Sequence, residues 1–314
     1  MDLPPTTWGS FGLIPFPGLV AISGAPGSFK TFFCLQVAIR LTQGLPTFSE
    51  MDIPVGKRES EAPSRGVLFI EEENTINMMK EREIYLSPGG PVPGLYYYIQ
   101  EGFKLNDSDM LQGLIRFCEE KNIGTVFMDP FISVSGVKDE NNNAEVAKVM
   151  DLIRLELVKR NITVVFIHHP SKGENGVDGL RGAGDILGKV DVHVTLEAED
   201  KENTENKRII VKFAKMRIAD RSKFQHFVME LGEQEFLYRG SLKDQKSLTA
   251  DRLRGSVLIA LMEGPLTQGE VADKIGGNRT SEAFREAFKI MLGENVIERL
   301  GSGPGTKYQL KKTM

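Results

Sequence analysis

Residues 24–31 read Gly-Ala-Pro-Gly-Ser-Phe-Lys-Thr, directly after the apolar run Leu19-Val20-Ala21-Ile22 and directly before an apolar stretch of helical character. Strand, glycine-bearing loop, Lys-Thr and helix form the order that a bound triphosphate requires. Backbone N–H groups along Gly24, Ala25, Pro26, Gly27, Ser28, Phe29 and Lys30 (all but that of the proline) can curl around phosphate oxygens. Lys30 adds a point charge near the outer phosphates, and the Thr31 hydroxyl can hold Mg²⁺. The expected ligands are therefore ATP and Mg²⁺. The P-loop pattern is broken at one position, because Phe29 stands where a glycine precedes the lysine. That residue is expected to begin the helix with ordinary right-handed dihedrals.

Two further acidic positions complete the chemistry. Thr125-Val126-Phe127-Met128 ends in Asp129, which places a carboxylate where it can hold Mg²⁺ through water. Hydrolysis also needs a group that orients or deprotonates water. The apolar run 66–70 is followed by Glu71-Glu72-Glu73-Asn74, and one of these carboxylates is expected to face the γ-phosphate. Strand alternation leaves open which one.

The elements that must position these residues alternate along the chain. Strands are expected at 19–23, 66–70, 96–100, 124–129, 162–168 and 190–196, and helices at 31–42, 74–85, 107–121 and 143–160. This order predicts an α/β fold with a largely parallel sheet, whose ligands lie at the carboxyl ends of the strands. Residues 45–65 read as a long surface loop. Beyond 196 the pattern changes to two antiparallel segments, 207–213 and 224–230. The expected domains are 1–240, a polar linker at 241–250, and 251–314. In the last, a capping box at Thr267–Glu270 and a periodic apolar face on Phe284, Ala287, Phe288, Met291 and Leu292 predict helices. A glycine-rich turn at 301–305 then predicts a β-wing, and three helices with a wing make a winged helix-turn-helix.

The chain of 314 residues has a net charge of −4, which argues against a general nucleic-acid coat. Residues 251–314 carry a balance of +2, so local patches would have to supply any such contact. Cys34 and Cys118 lie in apolar helical stretches and are expected as buried thiols in a reducing cytoplasm. No apolar run approaches the roughly 20 residues that span a bilayer, and the N-terminus does not read as a signal peptide. His193 and His226 lie within strand-like segments and are expected to be structural. No zinc cluster is expected around His168-His169.

P-loop, strand ending in glutamate, strand ending in aspartate and strand ending in His-His, in that order, resemble the RecA-type hexameric ATPases. The likeness is to the RepA-like plasmid and phage replicative helicases within the AAA domain family, over roughly residues 1–240. The resemblance implies a RecA-like core in which Glu73 is the catalytic glutamate and His169 senses the γ-phosphate. It implies that the segment 170–179, with Lys172, and the following Arg181 line a channel for single-stranded DNA. It also implies that Lys215 and Arg217 reach into a neighbour's nucleotide, the latter as an arginine finger, within a homo-oligomeric, hexameric ring. Asn74 departs from the aspartate common in the group.

On the second domain Arg279, Arg285 and Lys289 are the candidates for duplex or forked DNA, although Glu282 and Glu286 intervene. The same domain could instead dock a replication partner protein. A DNA helicase and single-strand translocase is the leading expectation. The alternatives are a repair or recombination ATPase and a nucleotide-switched regulator.

Overall fold

The chain opens on a hairpin that the sequence did not announce, β1 (Thr7–Ser10) paired antiparallel with β2 (Ile14–Phe16), its Trp8 and Ile14 buried against the core. In this computed structural model the described residues are 7–48, 55–60, 62, 64–139, 142–168, 188–199, 207–277, 279–303 and 305–311. They belong to two units, residues 1–240 and 241–314.

In the first unit the expected apolar runs form strands close to where the sequence puts them: β3 (Leu19–Ser23), β4 (Gly66–Glu71), β5 (Leu95–Ile99), β6 (Ile123–Asp129), β7 (Thr163–His168) and β8 (Val192–Ala198). Between them lie α1 (Lys30–Gln43), α2 (Ile76–Leu86), α3 (Ser108–Glu120), the short α4 (Phe131–Ser135) and α5 (Asn143–Glu156). Three antiparallel additions follow, β9 (Arg208–Met216), β10 (Phe227–Leu231) and β11 (Phe236–Ser241). They complete one sheet in the order β11-β10-β9-β8-β3-β7-β6-β4-β5, parallel from β8 to β5.

Strands in such a sheet are apolar on both sides because helices cover both faces. Val20 and Ile22 enter one core with α1 residues Phe33, Val37 and Leu41, whereas Leu19 and Ala21 enter the other. That second core also takes Leu114 and Ile115 of α3 and Val149, Met150 and Ile153 of α5. Cys34 and Cys118 are free thiols, one buried in each core. The 45–65 stretch is more than a surface loop, since its Phe48 and Val55 are buried and Gly56 N–H donates to the Phe11 carbonyl at 2.9 Å.

The second unit runs α6 (Leu242–Leu261), β12 (Leu266–Thr267), α7 (Gln268–Lys274), α8 (Glu282–Gly293), β13 (Ile297–Leu300) and β14 (Lys307–Leu310). The three strands form an antiparallel sheet in the order β12-β14-β13. Val257, Val271, Phe284, Phe288, Met291 and Tyr308 are its core. Thr267 and Glu270 make the anticipated capping box. The linker expectation is corrected, because 242–250 is helical, continuous with 251–261. That stretch has no glycine or proline and is rich in Leu, Lys, Gln and Ala, so helix propensity outweighs its polarity. Among the described residues no helix is long and apolar enough to cross a membrane.

Candidate nucleotide site

The loop between β3 and α1 is shaped by contacts only glycine permits. A Cβ on Gly24 would lie 2.3 Å from the Leu196 carbonyl oxygen and 2.5 Å from Ser28 Oγ, so this turn must pass against β8 without a side chain. Ser28 Oγ donates to the Ala25 carbonyl at 2.8 Å, and Lys30 Nζ donates to the same oxygen at 2.9 Å. Ala25, Pro26 and Gly27 are exposed along the rim. Burial pulls the Lys30 pKa below its ordinary value, against the attraction of Asp129 and then Glu73. The ammonium is thus held over the loop with a neutral oxygen as partner, an arrangement that a phosphate would improve.

Phe29 overturns its expectation. Its φ is 57° and ψ 25°, the left-handed region, and α1 begins only at Lys30. The glycine of the P-loop pattern is there for this conformation, and a phenylalanine takes it at a cost of about 1–2 kcal/mol. Its ring packs edge-on with Phe32 and Phe236, at centroid distances of 6.4 and 6.5 Å, which offsets that cost.

Thr31 Oγ1 donates to Asp129 Oδ2 at 2.7 Å. Asp129 is buried at the carboxyl end of β6. This hydroxyl–carboxylate pair, all oxygen, suits a hard cation that keeps most of its waters.

The three glutamates after β4 separate cleanly. Glu71 is the last strand residue, fully buried and in register with Asp129. Its Oε1 accepts from the Glu73 and Asn74 N–H groups, each at 2.8 Å, and its buried Oε2 makes no hydrogen bond. Burial, and then Asp129, push its pKa up to about 8 against its bonds with Asn74 and Glu73, so its environment favours the neutral acid. Glu72 accepts from the N–H groups of Gly102 and Phe103 at 3.2 and 2.8 Å and holds that loop. Glu73 is exposed and acts electrostatically on Lys30. The register of β4 against β6 sets this division, which strand alternation leaves open in the sequence.

Sequence reasoning missed Ser23. Its Oγ sits 2.8 Å from His193 Nε2, both buried, at the base of the phosphate loop. Burial, then His168 and Lys215, lower the His193 pKa to about 4, which keeps the imidazole neutral. His168 ends β7 in register with Ser23. His169, Lys172 and Arg181 lie outside the described residues.

Arg217 is at the other end of the sheet, and Lys215, opposite His193, is level with Ala21 in the middle of β3. Arg217 N–H donates to the Asp191 carbonyl, and Asp191 N–H donates to the Leu19 carbonyl, each at 2.8 Å, so Arg217 lies level with the start of β3. The phosphate loop leaves the far end of that strand, roughly 15 Å away. Lys215 Nζ donates to the Gly188 carbonyl at 3.1 Å and Arg217 Nη2 donates to the same oxygen. The β8–β9 pairing slips between His193 and Val194, so that His193 faces Lys215 while Val194 faces Phe213. This bulge puts Lys215 on the same face as His193.

In the second unit Arg279 and Arg285 are exposed and line one cavity, and Arg285 Nη2 donates to the Thr280 carbonyl at 2.6 Å. Lys289, expected beside them, is ion-paired to Glu286 at 3.3 Å instead.

A mostly parallel sheet with a glycine-bearing loop, Lys-Thr and a buried strand-end aspartate defines a RecA-like P-loop NTPase fold. The chain belongs to the AAA domain family, whose model matches residues 2–175, more than half of its length. Among solved structures, it is similar to a KaiC-like protein of the hyperthermophilic archaeon Pyrococcus horikoshii, with TM-score 0.50 and 15% identity over 73% of this chain and 93% of that one. It is also similar to a DnaB-like replicative helicase whose interactions with primase are described, with TM-score 0.54 and 13% identity over 70% of this chain. The match spans 57% of that helicase. At these identities the likeness is one of fold. No curated protein matches this sequence.

Proposed function

We propose that this chain is the ATP-hydrolysing subunit of a ring-forming, RepA-like DNA helicase that moves along single-stranded DNA in replication. The observation that carries the reading is the separation of the phosphate loop from Arg217 by the length of β3. With Lys215, which stands level with the middle of β3 and shares the Gly188 carbonyl with it, Arg217 suits the site of a neighbour, in a homo-oligomeric, hexameric ring.

In that reading the N–H groups of residues 24–30 cradle the phosphates and Lys30 exchanges the Ala25 carbonyl for phosphate oxygens. Thr31 and Asp129 are the residues that would hold Mg²⁺, which when bound neutralises charge on the β- and γ-phosphates. Glu73 orients the attacking water and accepts its proton. Glu71, neutral and bonded to the Glu73 amide, fixes the turn that presents that carboxylate. Lys215 and Arg217 stabilise charge on the transferring phosphoryl group from the next subunit. His169 senses the γ-phosphate, and Lys172 and Arg181 contact single-stranded DNA. The second unit is read as a winged helix-turn-helix that engages duplex or forked DNA through Arg279, Arg285 and Lys289. The DnaB-like neighbour's interaction with primase makes a replication protein a further partner to test.

Steady-state phosphate release with and without single-stranded DNA tests the proposal, together with native mass in the presence of ATP. Turnover is expected to rise with DNA, to vanish in Lys30→Ala, and to accompany a closed oligomer. Turnover that ignores DNA removes the helicase assignment and leaves an ATPase. A protein that stays monomeric in every nucleotide state removes the ring.

A further inference from the structure

The second unit contains a cavity of about 440 Å³ between the start of α7, the turn before α8, the first turn of α8 and the β13–β14 hairpin. Its polar lining includes Arg279, Arg285, Thr267, Gln268 and Thr306, and among the described residues that line it none is a carboxylate. Glu270 accepts from the Thr267 N–H at 2.7 Å in the capping box, and Glu286 pairs with Lys289. Among the described lining residues, two guanidinium groups therefore share a concave, hydroxyl-lined space with no carboxylate beside them.

The arginines are also shaped for it. The Arg285 bond to the Thr280 carbonyl fixes the direction of that side chain. Arg279 Nη1 lies 3.7 Å from where a Cβ of Gly269 would be, so the absent side chain leaves the room that its guanidinium borders. Thr306 Oγ1 donates to the Gly303 carbonyl at 2.7 Å and closes the hairpin loop that forms the far wall. Guanidinium forks, hydroxyls and an amide around an open recess match the oxygens of a phosphate group, and a recess open to the surface suits a phosphate carried on a continuing strand.

We propose that this cavity grips a backbone phosphate of DNA, and that the second unit holds DNA by its phosphates rather than by reading bases with α8. The inference rests on the reading that the chain works on DNA, and it deepens that reading by separating Arg279 and Arg285 from Lys289. A sequence-independent grip suits a protein that must follow a moving junction.

The test is fluorescence anisotropy of the full chain with labelled forked DNA, without ATP or Mg²⁺, across a salt series. The Arg279→Ala/Arg285→Ala double variant is expected to bind about tenfold or more weakly and to flatten the log–log salt dependence by about one to two, the signature of one or two lost phosphate contacts. Arg279→Lys/Arg285→Lys, which keeps charge but loses the fork, should fall between this variant and the wild type and controls for folding. Gly269→Leu, which fills the recess, should weaken binding without any change of charge, and Lys289→Ala should change it least. Binding by the double variant equal to that of the wild type overturns the inference, as does an effect of Lys289→Ala as large as the double variant's. Displacement of the DNA by pyrophosphate at a concentration that also saturates the double variant would overturn it too, since the anion would then act elsewhere. Pyrophosphate that binds the wild-type cavity while forked and duplex DNA do not assigns the recess to a small anion. Absence of binding to every DNA form sinks the motor reading as well.

Discussion

The two ends of β3 carry opposite halves of one chemistry. At its carboxyl end are the phosphate loop, Lys30, Thr31, Asp129 and Glu73; level with its amino end is Arg217, with Lys215 two residues back, level with Ala21. The first end is built for anions and a cation, with buried groups bonded to one another. The second presents positive charge, exposed at Arg217 and half-buried at Lys215, that meets at the Gly188 carbonyl. If the proposed ring forms, the contrast means that one chain holds groups of a catalytic set that only two chains together assemble.

The sharpest way to break that comparison is Arg217→Ala, expected to lower ATP turnover by about a thousandfold while ATP binding persists. Mixing it with Lys30→Ala, itself inactive, should restore phosphate release, because one chain then supplies the loop and the other the arginine. No recovery in the mixture would place both ends in service of the same subunit, or of nothing.

Within the carboxyl end, the glutamates divide again. Glu73→Gln should reduce turnover by about a hundredfold or more, through the loss of a general base. Glu71→Gln, which imitates a neutral acid and keeps an oxygen for the two N–H groups, should stay within a few-fold of the wild type at pH 7. Equal damage from both would refute the separation of a water-facing from a buried carboxyl group.

Next in size is a pH effect at the base of the loop. His193 has a folded pKa of about 4 against an ordinary 6.5, so the unfolded chain takes up the proton first as pH falls. Its contribution is intact above pH 6.5 and is lost towards pH 4, by up to about 3 kcal/mol. Glu71 runs in the other direction, its contribution intact below pH 4.5 and lost as pH rises towards 8. Denaturation curves at several pH values should therefore lose their acid-side slope in His193→Gln and their alkaline-side slope in Glu71→Gln. A His193→Gln curve parallel to the wild type's would contradict the buried, neutral imidazole.

The smallest effect concerns Phe29. In an ordinary helix alanine is more stable than glycine, but at φ 57° the order should invert, with Phe29→Ala less stable than Phe29→Gly by about 1 kcal/mol. Thermal melts of the two variants decide it.

The strand order around the site was readable because burial on both faces writes itself as runs such as Val164–Ile167 and Val126–Met128. Asp129 could be found for the same reason, as the first charge after such a run. Phe29 could not be read correctly, because a left-handed residue leaves no trace in composition once the glycine is replaced. The roles of Glu71 and Glu73 were hidden by a run of identical side chains, which only the pairing of β4 with β6 distinguishes. Nor could periodicity reveal the pairing of Lys215 with His193, since a bulge breaks the alternation on which such reading depends. The helical 242–250 stretch was obscured because a polar helix and a linker can share a composition.

Ala214 is the residue that the slip in β9 leaves without a partner across the strand pair. Its identity matters little: a library of point changes there should pass largely unnoticed, and excision of this one codon would leave His193 and Val194 opposite two consecutive residues, a straight ladder in place of a kink. Indifference to which residue stands there, with deletion erasing the bend while the strand stays paired, is thus the genetic mark this protein should carry near the end of β9.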